Sequence, residues 1–135
     1  MTRGLFAPDG FKGSISAVAA AEALAAGWRA ARPGDAIVEL PMADGGEGTL
    51  DAFLVAVPGA RRMPVAVTGP HGRAVAASWV LLPPTDDEPQ GTGVVELAST
   101  SGIELLDGAL RPFDADTRGF GQAIAAALDH GVSRL

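Results

Sequence analysis

The segment IVELPMADGGEGTL, residues 37–50, joins a strand pattern to a helix pattern and decides the fold prediction. Ile37, Val38 and Leu40 form a short apolar run that predicts a buried strand, and a glycine-rich loop follows it. After the loop, apolar residues recur at the i, i+3, i+4, i+7 spacing of a short amphipathic helix, namely Leu50, Phe53, Leu54 and Val57. The segment therefore predicts a strand, a loop and a helix in succession.

The residues before this segment repeat the same succession. Residues 5–7 predict a buried strand that a loop with proline and glycine closes. From Ser14 or Ser16 to about Ala31 the apolar residues recur at helical spacing, and a serine hydroxyl can cap that helix. The order β, α, β, α over residues 1–60 predicts parallel strands with helices packed on the sheet, a layout in which ligands bind beyond the carboxyl ends of the strands.

The pattern changes further along the chain. Residues 63–68 and 74–82 are strand-like and flank the turn residues 69–72, so they predict an antiparallel hairpin that belongs to a second subdomain. A further strand is predicted at residues 94–97. The small residues that follow it, 98–102, are expected to form a turn that lines a pocket.

The last predicted helix carries Phe120, Ile124 and Leu128 on one face, and Gly131 suits the C′ position that ends it. Residues 132–135 resemble the first residues of another strand in the β/α alternation. We therefore expect an incomplete α/β fold with parallel β/α units, helices packed on the sheet and a hairpin-containing second subdomain. Its predicted portions are a β/α portion with the phosphate site at 1–60, a hairpin portion at 61–115, and at 116–135 a helix and the start of a strand that leads into a missing remainder.

Composition excludes several classes of protein. The length of 135 residues suits one domain, and a hydrophobic content of 47% supplies a core. Ten Lys and Arg against sixteen Asp and Glu give a net charge of −6, so the basic excess that nucleic-acid binding needs is missing. The absence of Cys excludes disulfides, thiolate catalysis and cysteine-ligated metals. No apolar stretch is long enough for a membrane span or a signal peptide, so we expect a cytoplasmic protein with neither a membrane nor a nucleic acid as partner.

The loop Asp44-Gly45-Gly46-Glu47-Gly48-Thr49 is the strongest candidate for a functional site. Its glycines let the backbone approach a ligand closely, and free N–H groups at a helix start attract phosphate. The carboxylates of Asp44 and Glu47 can hold Mg²⁺, a hard cation that is often shared with substrate phosphates. The same two residues have the spacing of a capping box, in which both side chains merely satisfy backbone donors. The residues alone leave both interpretations open.

The loop Asp9-Gly10-Phe11-Lys12-Gly13-Ser14 occupies the equivalent place after the first strand. Lys12 is a single cation that can neutralise a transferring phosphoryl group or a substrate carboxylate. Asp9 can serve as a second metal ligand or as a general base. The alternative for Lys12 is an ordinary solvated charge.

Neither loop carries a common nucleotide signature. The Walker A sequence G-x-x-x-x-G-K-[ST] is missing, and G-x-G-x-x-G does not follow the first strand, which disfavours a nicotinamide-dependent oxidoreductase. Residues 99–101 lack the G-x-S-x-G context of a hydrolase nucleophile, so the expected role of Ser101 is hydrogen bonding. Arg118 stands at a helix start, where a guanidinium can grip a phosphate or a carboxylate with two hydrogen bonds.

Taken in order, APDGFK (7–12), SIS (14–16) and PMADGGEGT (41–49) resemble the start of the bacterial glycerate kinases related to the glyoxylate and glucarate pathway enzymes. The order and spacing of these motifs carry the resemblance, which extends over nearly the whole chain. Further matches are residues 67–70 with Gly72, residues 96–98 with 101–105, and residues 117–121 before the last helix.

The resemblance implies ATP-dependent, Mg²⁺-requiring phosphorylation of D-glycerate to a phosphoglycerate by a larger two-domain α/β enzyme. In such enzymes another Gly-rich loop follows the matched part, so the expected partners are D-glycerate, ATP and the missing C-terminal part of the same enzyme. On chemical grounds we predict catalytic roles for Asp9, Lys12, Asp44 and Glu47, with Asp44 and Glu47 on the metal. The predicted contacts to substrate or phosphate are Gly45, Gly46, Gly48, Thr49, Ser101 and Arg118.

A non-catalytic α/β fragment or binding module is the alternative interpretation. Such a chain keeps the first part of the fold and has no activity of its own. The missing downstream loop is the feature that separates the two interpretations, and it leads us to expect that the 135-residue chain alone is inactive.

Overall fold

The computed structural model describes residues 2–135 and shows an α/β protein with one parallel sheet, one antiparallel sheet and four α-helices. This architecture confirms the predicted fold class. The chain divides into two compact units, one that ends at Ala56 and one that comprises Val57–Leu135. The three portions predicted from the sequence stay a prediction. Within residues 2–135, no helix has both the length and the apolar character needed to cross a membrane.

The first unit consists of β1 (Arg3–Phe6), α1 (Ala17–Ala31), β2 (Ala36–Glu39) and α2 (Thr49–Ala56). The two strands pair in parallel with Leu5 opposite Val38, as the β, α, β, α order predicts. Helix α1 begins within the predicted range, because the Ser16 Oγ accepts a hydrogen bond from the Ala19 N–H at 3.2 Å and caps the helix. The local signals of the sequence place these elements, but the prediction that both strands are buried is wrong, since Leu5 is 61% and Val38 41% exposed.

A carboxylate between α1 and β2 fixes the chain at the start of β1. The Oδ1 atom of Asp35 accepts a hydrogen bond from the Thr2 N–H at 2.9 Å. Its Oδ2 atom accepts from Trp28 Nε1 at 3.2 Å and from Arg32 Nε at 2.6 Å. These bonds, the one from the Thr2 N–H first, hold the pKa of Asp35 below its ordinary value. One side chain therefore links the end of α1 to the N-terminal chain.

The second unit consists of β3 (Arg61–Thr68), β4 (Ala74–Leu82), β5 (Thr92–Val94), α3 (Leu97–Ser101), a 3₁₀ turn (Ile103–Leu106) and α4 (Arg118–Asp129). Strands β3 and β4 pair antiparallel from Arg61 opposite Leu81 to Thr68 opposite Ala74, which confirms the predicted hairpin. Strand β5 pairs antiparallel with β4, so the strand order is β3-β4-β5.

Two predictions for the segment after the hairpin are wrong. The strand predicted at 94–97 ends at Val94, and the turn predicted at 98–102 is largely helix α3. Thr100 is fully buried, and its Oγ1 donates to the Leu97 carbonyl oxygen at 3.0 Å, so the helix itself satisfies the hydroxyl group. The turn is therefore replaced by a short helix, and the role of the segment in lining a pocket stays a prediction.

The core of the second unit lies between its sheet and α4. A buried cluster joins the two and comprises Trp79, Leu81, Ala127 and Val132. The fully buried residues of α4 are small: Gly119, Ala123 and Ala127. The larger residues on the face that the sequence singled out are half-buried or exposed: Phe120, Ile124 and Leu128. Small residues at the contact let the helix approach β3 closely, and the larger side chains lie around the edge of this contact.

The last residues of the chain pack against this core. Gly131, with φ +106°, ends α4 at the predicted C′ position. Val132 is buried next to Trp79. The Gly93 N–H then donates to the Arg134 carbonyl oxygen at 2.9 Å, within a parallel bridge. The bridge is isolated and forms no strand, so the strand start expected at residues 132–135 stays a prediction.

Gly119 occupies a position in α4 that leaves no room for a side chain. A methyl group there would contact the Thr68 carbonyl oxygen and lie 3.0 Å from the Thr100 carbonyl oxygen. We expect Gly119→Ala to lower the free energy of unfolding by about 1–3 kcal/mol, the usual cost of overpacking. Gly121 has open space in the same helix, so Gly121→Ala should raise it by about 0.5–1 kcal/mol. Urea unfolding measures both variants beside the parent, and equal stabilities would contradict the close approach.

Candidate functional site

The two candidate loops leave the same edge of the parallel sheet. Strands β1 and β2 run in the same direction, so their carboxyl ends meet at one edge. The pairing continues past both strands, because the Leu40 N–H donates to the Phe6 carbonyl oxygen at 2.8 Å and the Met42 N–H donates to the Pro8 carbonyl oxygen at 2.9 Å. The loops that carry Asp9 to Ser14 and Asp44 to Thr49 are therefore held side by side at the place where parallel sheets bind ligands.

The first loop presents Lys12 on a tight turn. The Phe11 N–H donates to the Ile15 carbonyl oxygen at 2.9 Å, and the Ser14 N–H donates to the Phe11 carbonyl oxygen at 2.8 Å. These bonds close the chain around Lys12 and Gly13. Since the backbone on both sides of Lys12 is hydrogen-bonded, the position of the Lys12 Cα atom is well defined.

The second loop turns on glycines and on the carboxylate of Asp44. Gly45 and Gly48 have φ values of +97° and +91°, which side chains rarely tolerate. The Asp44 Oδ1 accepts a hydrogen bond from the Gly46 N–H at 2.9 Å. The Thr49 hydroxyl donates to the Gly46 carbonyl oxygen at 2.9 Å. The loop is therefore stabilised by its own polar groups, and the Gly46 N–H already has a partner.

The capping-box interpretation of Asp44 and Glu47 is wrong. Helix α2 begins at Thr49, after both residues, and its first turn is closed by the bond from the Ala52 N–H to the Gly48 carbonyl oxygen at 3.0 Å. Asp44 bonds to the loop instead of capping the helix. The physical reason is the left-handed backbone of Gly48, which interrupts the helical conformation that a box at these positions requires.

An ion pair connects the two loops. The Lys12 Nζ lies 3.2 Å from the Glu47 Oε1, and the two side chains are 63% and 42% exposed. The N–H of Glu47 first, and the ammonium group of Lys12 second, hold the pKa of the Glu47 carboxyl below its ordinary value, while the charge of Asp44 opposes this shift. The structure thus brings Lys12 and Glu47 together, whereas the bond of Asp9 is local, from the Gly10 N–H to its Oδ1 at 2.6 Å.

The carboxylates of the two loops suit Mg²⁺ only when the ion also takes ligands from a bound phosphate. Among residues 2–135, no group of three or more Asp, Glu, His or Cys side chains is close enough to enclose a metal ion. Mg²⁺ is commonly bound through one or two carboxylates, with water and substrate phosphates as its other ligands. Asp44 and Glu47 supply such carboxylates, so the loops fit a metal that arrives with phosphate and do not form an all-protein cage.

Ser101 and Arg118 belong to the second unit. The Ser101 Oγ lies 3.5 Å from the Thr100 Oγ1, and the half-buried side chain closes helix α3. The Arg118 guanidinium is 67% exposed and lies 3.4 Å from the Asp116 Oδ2, at the start of α4. An exposed ion pair of this length contributes little stability, so the guanidinium can exchange partners readily.

Two contacts near these residues were missed from the sequence. The Thr68 N–H donates to the Gln122 Oε1 at 2.6 Å, and the Gln122 Nε2 donates to the Thr68 Oγ1 at 3.3 Å, so the end of β3 is tied to α4. The Lys12–Glu47 pair was also not predicted as a pair. A signal for it existed, because loops that follow neighbouring parallel strands share one edge of the sheet.

Comparisons with known proteins show which sequences the chain resembles. The chain matches the family model described as the glycerate kinase family over residues 4–135. It is 42% identical over 132 residues to a glycerate kinase of Bacillus subtilis (strain 168) and 39% identical over 132 residues to a glycerate 2-kinase of Escherichia coli (strain K12). Each alignment covers 97% of this chain and 33% of the relative.

A solved structure supports the same relationship. The crystal structure of a protein from Salmonella typhimurium LT2, assigned as glycerate kinase 2, matches with a TM-score of 0.68 and 36% identity. The match covers 96% of this chain and 33% of that one, so this chain spans about one third of the length of the relatives that it resembles. Since the family model extends over residues 4–135, the chain belongs to the glycerate kinase family.

Proposed function

We propose that this chain supplies the N-terminal loops of the active site of an ATP-dependent glycerate kinase, which transfers a phosphoryl group to D-glycerate. The observation that carries the proposal is the Lys12–Glu47 contact, which joins the two family-like loops at the carboxyl edge of a parallel sheet. The glycerate kinases of Bacillus subtilis and Escherichia coli named above support the choice of substrate.

The charges of the two loops favour a metal-dependent reaction. Asp9, Asp44 and Glu47 carry three negative charges against the single positive charge of Lys12. A triphosphate that approaches this edge is therefore repelled unless a cation accompanies it. Mg²⁺ would neutralise the phosphates here, and Asp44 and Glu47 are the carboxylates available to hold it.

The remaining residues position and neutralise the reacting groups. In-line phosphoryl transfer depends mainly on alignment and electrostatic stabilisation, so a lysine and backbone N–H groups near the phosphates suffice for much of the effect. Lys12 binds a phosphate oxygen or the glycerate carboxylate, and the backbone of Gly45, Gly46 and Gly48 lines the same loop. Asp9 accepts the proton of the attacking hydroxyl or assists with the metal. For the second unit we propose that Arg118 binds an anion and that Ser101 donates a hydrogen bond.

The second candidate function concerns these 135 residues by themselves, which cover 33% of the two relatives. In that case the chain binds nucleotide or phosphate but catalyses no reaction by itself. It acts only together with the part of the family sequence that lies outside these 135 residues. A cytoplasmic location is part of both proposals, as is the expectation that neither a nucleic acid nor a membrane is a partner.

The test uses a full-length chain, in which these 135 residues continue into the remaining two-thirds of the family sequence. That part comes from the downstream coding sequence or, as a chimera, from the Bacillus subtilis relative. We expect ATP, Mg²⁺ and D-glycerate to give ADP and one phosphoglycerate, which ³¹P NMR identifies by the position of the ester. ADP release that does not depend on D-glycerate, with no phosphoglycerate formed, would overturn the proposed function.

A further inference from the structure

We propose that Glu47 is a positioning residue, whose carboxylate holds the Lys12 ammonium group across the two loops and which acts in the reaction through Lys12 rather than as a metal ligand. This inference rests on the proposed function and narrows the role of one of its two carboxylates. Under this inference, Asp44 is the carboxylate that binds the metal.

The backbone geometry gives Glu47 a fixed place from which to hold the lysine. The bond from the Met42 N–H to the Pro8 carbonyl oxygen keeps the two loops adjacent. Glu47 itself stands next to the left-handed Gly48, so its loop turns sharply at this point. The lysine side chain is long and has several rotatable bonds, and without a partner it samples many positions. The contact of 3.2 Å to the Glu47 Oε1 selects one of them.

The contact leaves Lys12 able to bind an anion. An ammonium group has three N–H donors, and the bond to Glu47 uses one of them. Two donors remain for phosphate or carboxylate oxygens. The lysine side chain is 63% exposed, so a ligand at the edge of the sheet can reach these donors.

The two carboxylates of the second loop differ in their charge balance. Glu47 already faces a cation, so a metal ion at Glu47 has to compete with the Lys12 ammonium group. Asp44 accepts its hydrogen bond from the uncharged Gly46 N–H, and within residues 2–135 it forms no ion pair that would balance its charge. A divalent cation is therefore attracted more strongly to Asp44 than to Glu47.

The pair is too exposed to be explained by stability. Ion pairs between solvent-exposed side chains contribute little to folding, and these two side chains are 63% and 42% exposed. Variants of either residue should therefore melt close to the parent, and a change in activity or in ligand binding then reports on function.

The test is a double-mutant cycle in the full-length chain with Lys12→Met, Glu47→Ala and the double variant. We expect each single variant to lower kcat/KM by at least about tenfold, because a charge-assisted contact is lost. We expect the kcat/KM of the double variant to be no lower than that of Lys12→Met alone, since Glu47 acts through Lys12. Lys12→Arg should retain part of the activity only while Glu47 is present. Losses that multiply in the double variant would overturn the inference.

Calorimetric titration supplies a second readout. ADP with Mg²⁺ should bind more weakly to both single variants, again without a further loss in the double variant. The Mg²⁺ concentration that gives half of its effect on ADP binding should be the same for Glu47→Gln as for the parent, and a Mg²⁺ requirement that rises with the loss of the Glu47 charge would overturn the inference. Glu22→Gln removes an exposed carboxylate from α1, outside both loops, and is the matched control. It should change neither kcat/KM nor the affinity for ADP and Mg²⁺.

The outcomes separate this inference from the proposed function. A parent that binds ADP but does not phosphorylate D-glycerate contradicts the proposed function, and the binding cycle still decides the role of Glu47. A parent that phosphorylates D-glycerate but gives an additive cycle contradicts the role of Glu47 alone. A parent that does neither overturns both.

Discussion

We expect the 135-residue chain on its own to show no measurable phosphorylation of D-glycerate, whereas the full-length chain shows it. The chain covers 33% of the Bacillus subtilis and Escherichia coli relatives, so two-thirds of the family sequence is outside it. Within residues 2–135, the parallel sheet consists of β1 and β2, and Leu5 is 61% and Val38 41% exposed. Parallel sheets occur almost only where both faces are covered, so we expect this sheet to be less stable in the short chain than in the full-length chain.

The expected loss is large because phosphoryl transfer depends on alignment. A small displacement of a positioning group can cost about a hundredfold in rate, and a missing group costs more. Coupled assays of ADP release, run on both chains at equal concentration with heat-inactivated samples as blanks, measure the difference. Turnover by the short chain that exceeds the blank and depends on D-glycerate would contradict this expectation.

The second large effect is expected for Asp44→Asn in the full-length chain. The Asn Oδ1 can still accept the hydrogen bond from the Gly46 N–H, so the loop and the melting temperature should be nearly unchanged. The substitution removes the negative charge that we propose Asp44 supplies to Mg²⁺. We therefore expect kcat to fall by about a hundredfold or the Mg²⁺ requirement to rise, because a metal ion is worth several kcal/mol of charge stabilisation.

Two companion variants separate the metal role of Asp44 from its structural role. Asp44→Ala also removes the acceptor for the Gly46 N–H, so it should lower the melting temperature as well as the rate. Glu22→Gln, on α1, should change neither. Melting curves and a Mg²⁺ titration of kcat provide the comparison. If Asp44→Asn melts and turns over like the parent at every Mg²⁺ concentration, the metal assignment is wrong and the carboxylate is purely structural.

Part of the candidate site could be predicted because it depends on neighbours in the sequence. The glycines of the second loop, the position of Lys12 after the first strand and the start of α1 at Ser16 are all readable from short patterns. The hairpin is predictable for the same reason, since its turn residues stand between two strand-like runs. The motifs in their order also carried the family resemblance, which the comparisons confirm.

Other features required contacts between distant residues. The sequence offers the capping box at Asp44 and Glu47 as plausible, and only the position of α2 excludes it. Helix α3 replaces a predicted turn, and it carries a fully buried Thr100, which a run of small hydroxyl residues does not reveal. The buried side of α4 consists of glycine and alanine. Because the helix lies close to Thr68, the size of a side chain decides which residues fit there, and hydrophobicity does not.

By itself, the sequence determined the α/β class, most elements of the first unit, the hairpin and the membership in the glycerate kinase family. The tertiary structure decided which side chains meet, and the Lys12–Glu47 pair is the clearest case, since the two residues are 35 positions apart. Local conformation follows from backbone preferences and from neighbours within a few residues, so a sequence pattern can report it. A contact between two loops depends on the parallel pairing of β1 and β2, which brings their carboxyl ends to one edge and leaves no local trace in either loop.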